Sequence, residues 1–137
     1  MDFFKVGTSQ NNMKSYDVIV TELSENFNIL YSENTGRTMS VSARMVLDPL
    51  GTFYGHKVTI KRKQGHEKEF DELYDLISEP RYDGLWFEIA HNQSTLCYEG
   101  YVSNGERKIK RIDEATNKVV WDAISLNIIS MEAQVTP

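Results

Sequence analysis

The stretch Lys57-Val58-Thr59-Ile60-Lys61-Arg62-Lys63-Gln64-Gly65-His66-Glu67-Lys68-Glu69-Phe70-Asp71-Glu72-Leu73-Tyr74-Asp75-Leu76-Ile77-Ser78 changes its hydrophobic period part-way along. Through Lys63 the period is two: Val58 and Ile60 point one way, Lys57, Thr59 and Lys61 the other, which is a strand. Beyond Gly65, Phe70, Leu73, Tyr74 and Ile77 fall at i, i+3, i+4 and i+7, the spacing of one helical face. A helix over about 67–78 is predicted, ended by Pro80, and it is the single convincing helix in the chain.

Downstream, Asp83-Gly84 makes a turn, and Leu85, Phe87 and Ile89 form an inward strand face. Leu96, Tyr98, Gly100 and Val102 form the next. Asn104-Gly105 is the strongest short hairpin signal, because a type I′ turn needs φ > 0 at both central residues. It is expected to join a Ser94–Ser103 strand to one over Arg107–Asp113. A polar turn at Glu114–Lys118 leads to a last strand with Val120, Ile124, Leu126 and Ile128 on one face.

Upstream, Val18 and Val20 alternate with Ile19 and Thr21, and Phe27 to Ser32 is a weaker strand candidate. Asn34-Thr35-Gly36 supplies a turn. Met39, Val41, Ala43, Met45 and Leu47 then share a face, and Asp48-Pro49 with Gly51 ends that strand. Residues 1–15 are expected to be a flexible arm, since Gly7 to Ser15 is polar and aperiodic; 16–137 reads as a single β-rich domain. One helix cannot cover a broad open sheet. The expected fold is therefore mainly β (α+β): a small antiparallel β-barrel or sandwich with one flanking helix and a long N-terminal β-hairpin.

The chain has 137 residues, 40% hydrophobic and 26% charged, enough for one core without a metal or disulfide. One cysteine, Cys97, forms no internal bridge. No apolar run approaches the ~20 residues that span a bilayer, and the N-terminus lacks a secretory signal's apolar centre. A soluble protein made in the cytoplasm is expected. The net charge of −5 argues against a dedicated nucleic-acid binder.

Catalytic sets are missing. His56, His66 and His91 lie outside any zincin helix, and Cys97 has no CxxC partner, so neither metal nor cofactor is expected. A Cys97 nucleophile paired with His91 is conceivable, but Cys97 sits mid-strand, where a small hydrophobe is the plainer reading. No phosphate loop is present. The acidic group Glu67, Glu69, Asp71, Glu72 and Asp75 reads as a solvated helix face, partly favoured by the helix dipole.

Two basic strips remain: Lys57, Lys61, Arg62 and Lys63, and Arg107, Lys108, Lys110 and Arg111. They read first as solvated surface, with Lys guarding strand edges. Second comes contact with the acidic face of another copy, and third a track for single-stranded nucleic acid with Tyr54, Tyr98 and Tyr101 as stacking rings. Apolar residues also occupy nominally outer strand faces: Trp86, Tyr101, Trp121, Ile129 and Met131. A sheet with one wet face should not show so many, so the second face is either covered within the domain or buried by a partner, and two-sided burial in so short a chain points to oligomerisation.

The order of a long hairpin, a basic strand, one acidic helix, a meander with Tyr98-Glu99-Gly100-Tyr101-Val102 and a closing Trp121-Asp122-Ala123-Ile124-Ser125-Leu126 strand resembles small structural proteins of tailed bacteriophages and prophages. It is similar in plan to tail-tube-like split β-barrels over Tyr16 to Met131. The resemblance is one of layout, so no family site residues are carried over. It implies a non-enzymatic virion component in a ring of the tail tube, its terminator or the baseplate. The implied partners are copies of itself, hexameric by analogy, and other tail proteins, with no membrane. It also implies that the hairpin over Asn26–Leu47, with Asn34, Gly36 and Met39, takes part in subunit contacts.

Overall fold

The computed structural model describes residues 3–137. Among them nine strands and one helix follow one another: β1 (Phe4–Gly7), β2 (Met13–Lys14), β3 (Ile19–Tyr31), β4 (Gly36–Arg37), β5 (Met45–Val46), β6 (Pro49–Lys61), α1 (Glu67–Ser78), β7 (Leu85–His91), β8 (Ser94–Asp113) and β9 (Lys118–Ser130). Seven strands form one antiparallel sheet in the order β2-β1-β7-β8-β9-β6-β3, and β4 pairs with β5 separately.

The mainly β architecture with a helix over 67–78 is as the sequence indicates. The sheet does not close into a barrel: β2 and β3 end it and are not paired to each other. It does fold over on itself. Glu25 on β3 bonds to His91 on β7 at 2.6 Å, although β8, β9 and β6 lie between those strands. In a flat sheet four strand spacings would separate them by about 19 Å. The interior of this sandwich-like fold holds Val6, Val58, Ile60, Phe87, Ile89, Ile124 and Ile128, all fully buried. Phe70 and Leu73 from α1 are buried with them. Glu67 and Glu69 sit in the helix's first turn, and Pro80 follows an extended Glu79 that stops it.

Three expectations are corrected. The expected arm over 1–15 is part of the sheet from Phe4 to Gly7, paired with β7 from Phe4↔Ile89 to Gly7↔Trp86, and Val6 is fully buried. Two apolar residues spaced by two suffice to seat a short strand that the polar stretch after it conceals; Met1 and Asp2 lie outside the described residues.

The Asn104-Gly105 hairpin does not form. Both residues lie inside β8 and pair with Asn127 and Leu126, next to a register shift between Val102 and Asn104. Gly105 does not take a positive φ. A bulge absorbs the dipeptide, because continued pairing with β9 satisfies more backbone groups than a turn would. The turns fall instead at Asn92, φ 53°, and Asn117, φ 57°.

The long hairpin exists in a different register: β3 pairs with β6, from Ile19↔Lys61 to Tyr31↔Pro49, rather than with a Met39–Leu47 strand. Pro49 begins β6, where a missing N–H is tolerated. The alternation over 39–47 is not a core signature, since Met39, Val41, Met45 and Leu47 are all exposed.

Candidate assembly surface

Strand β3 carries the sequence Ile19-Val20-Thr21-Glu22-Leu23-Ser24-Glu25-Asn26-Phe27-Asn28-Ile29-Leu30-Tyr31, and each of its residues is exposed. One edge bonds β6; the other edge has no strand beside it among the described residues. Phe27 is 67% exposed, and Leu23, Ile29, Leu30 and Tyr31 are exposed with it. A long edge strand bearing this much apolar surface is a template for pairing, and it lacks the lysines and prolines that usually blunt one.

The connection from 32 to 48 is a polar knot carrying an apolar tip. The Ser32 N–H donates to the Asp48 carbonyl and the Asp48 N–H to Thr35 Oγ1, both at 2.9 Å; the Asn34 N–H donates to Ser32 Oγ at 3.1 Å. Gly36 opens β4, and Arg37 donates to the Ala43 carbonyl at 3.3 Å. Met39 and Val41 are 102% and 109% exposed, so none of the described residues covers them appreciably. Of the expected contact residues, Asn34 and Gly36 hold this tip together and Met39 crowns it.

The others lie elsewhere. Tyr101 and Met131 are exposed. Trp86 and Ile129 are half-buried, Trp86 beside the C-terminal residues Glu132 and Ala133. Trp121 is half-buried because it covers Arg107. Sequence reading missed a second apolar group, Ile109, Ile112 and Val119, exposed at the outer end of β8 and β9. The break in alternation at the bulges around Ile109 hid them.

The basic strips meet in space. Lys61 at the end of β6, Arg62 just after it, Lys110 and Arg111 from β8 and Lys118 from β9 line one groove of about 610 Å³, with Glu67, Asp113 and Asp122 interspersed. Lys57 lies apart, in a cleft with Glu22 and Glu106, and Lys108 is 3.7 Å from Glu106. Arg107 is withdrawn from the expected surface role. Its guanidinium bonds Asp71 at 2.9 Å and sits 3.8 Å from the Tyr74 ring centre and 4.0 Å from that of Trp121. It is a tie between β8, α1 and β9. Two of the three proposed stacking rings are also occupied: Tyr98 is 3% exposed, and Tyr54 packs on His91.

Two polar clusters are brought together that the sequence did not reveal. Asp17, His66 and Glu69 place ligand atoms within 4.8 Å of one another at the start of α1. A lysine already supplies the cation: Lys63 Nζ donates to Asp17 Oδ1 at 3.0 Å and holds that carboxyl below its usual range. The Asp17 N–H donates to Glu69 at 2.6 Å, so the cluster fastens the chain before β3 onto the helix. The second cluster is Glu25, His56, His91 and Tyr98, with His56 fully buried. Cys97 lies outside it, paired across the strands with Glu88; burial, then the Glu88 charge, pushes its thiol pKa up, away from nucleophilic thiolate. Among the described residues no helix is long and apolar enough to cross a membrane.

No protein-family model matches the chain, and no curated protein matches its sequence.

Proposed function

We propose that this protein is a non-enzymatic structural subunit of a tailed-phage or prophage tail, one copy in a ring of the tube, its terminator or the baseplate. The observation that carries the reading is β3: 13 residues, all exposed, with an edge unpaired among the described residues and apolar side chains that those residues leave uncovered. Free backbone donors and acceptors along such an edge, together with Phe27, Ile29 and the Met39–Val41 tip, favour cover by another copy. Unlike edges, long at β3 and short at β2, favour a head-to-tail contact, which closes into a ring when the rotation permits.

Mass measurement of the purified chain across concentration, with electron microscopy of the same sample, tests this. A closed oligomer or stacked rings are expected. A monomer at every concentration, together with its absence from purified particles, overturns the reading. The nucleic-acid alternative is weakened by carboxylates in the basic groove and by the burial of Tyr98.

A further inference from the structure

The Glu25 carboxylate is the only link drawn between β3 and β7 among the side-chain bonds of the described residues, and it works through two imidazoles. Oε2 of Glu25 accepts from His56 Nε2 at 3.0 Å and from His91 Nδ1 at 2.6 Å. On its far side, His56 Nδ1 lies 2.7 Å from the Tyr98 hydroxyl. With Nε2 carrying the His56 proton, Nδ1 is free to accept the Tyr98 O–H, so four side chains from β3, β6, β7 and β8 form one satisfied chain.

We propose that this seam is an acid-opened clasp: it holds β3 against the folded-over sheet while His56 is neutral, and frees β3 when His56 takes a proton.

The groups facing His56 are Glu25 from β3, His91 and the Ala90 backbone from the end of β7, and Tyr98 from β8; β9 sets Ile128 opposite it in register. A proton on His91 leaves the seam bonded, because Nδ1–H already donates to the carboxylate. A proton on His56 has a single place to go, Nδ1, where it turns the Tyr98 hydroxyl from donor to acceptor and breaks the O–H bond to the ring; the Ala90 backbone bond to His56 offsets only part of that loss. The proton also puts a charge in a site closed to water, next to a second imidazole. Burial already lowers the proton affinity of His56 more than Glu25 raises it. The imidazolium is hydrated at least cost if Glu25 swings out, and no strand among the described residues pairs with β3 on its other edge. The clasp stands whatever covers β3 in an assembly.

Histidine NMR titration of the full chain in dilute solution, with amide exchange read as protection factors, tests it between pH 8 and pH 5. As His56 protonates, the β3 amides that donate to β6 should lose about tenfold in protection while the centre of β8–β9 keeps its own. Glu25→Gln, on an exposed strand, should fold and show weakly protected β3 amides at both pH values. Protection of β3 unchanged through the His56 titration overturns the proposal. So does a loss spread evenly over all strands, or a Glu25→Gln protein that keeps the wild-type pH response.

Discussion

The Arg107 guanidinium sits 4.0 Å from the centre of the Trp121 ring, and through this pair the helix is joined to β8 and β9. Removing the side chain takes away a bond to Asp71 and contacts with the rings of Phe70, Tyr74 and Trp121. Arg107→Ala should lower stability by about 1–2 kcal/mol. Arg107→Lys should recover less than half, because an ammonium keeps the charge but not the planar contact. Urea unfolding midpoints of the three proteins check this.

Acid should destabilise the fold before carboxylates titrate. Burial lowers the His56 pKa in the folded chain below its ordinary 6.5. Between those two values the unfolded chain holds more protons, so stability falls as pH falls. It should be complete above 6.5 and lost as pH drops through the native His56 value. Thermal unfolding from pH 8 to pH 5 reads the slope, and His56→Gln should flatten it.

Tyr98→Phe should separate two effects. The hydroxyl's loss leaves His56 Nδ1 without its donor in a buried site, at a cost of about 1–3 kcal/mol at pH 8. The same change frees Nδ1 to be protonated, so the penalty should shrink toward pH 5. Paired melts of wild type and variant at the two pH values check the convergence.

Gly105→Ala distinguishes a strand from a turn. An added Cβ meets nothing closer than the Ser125 carbonyl oxygen at 3.7 Å, and the backbone there is not left-handed. Stability should rise by about 0.4–1 kcal/mol as the unfolded chain loses freedom. A large loss on denaturant titration would mean that a tight turn had been disrupted.

Phe27→Lys should leave the fold intact, with a midpoint change below about 0.5 kcal/mol, since the ring is mostly in solvent. Its effect should fall on assembly: a lower mass by light scattering at concentrations where the wild type associates.

Much of the layout was legible because buried strands and one amphipathic helix keep strict periods. Val58 and Ile60, Phe87 and Ile89, and the helix face of Phe70 and Leu73 point inward as their spacing requires. Asn104-Gly105 misled because turn chemistry is local, while the pairing of β8 with β9 is not. Met39 to Leu47 misled for another reason: alternation reports two different faces, and both here lie in solvent. The candidate surface was half visible. Apolar outer residues pointed to a partner, but the free edge of β3 emerges only from strand order, and Arg107 looked like exposed charge until the helix was placed beside it.

The 20 residues of β8 have one further consequence. An extended strand of that length measures roughly 65 Å, whereas a compact chain of this size is about 37 Å across. The strand is not straight, however: three register shifts bend it, and its distal end, with β9 alongside, lines one groove with Arg62 and Glu67 at the start of the helix. The helix is therefore gripped at two points along one ribbon, by Arg107 at Asp71 and by the basic tip beside Glu67, so the ribbon and the helix are one rigid unit.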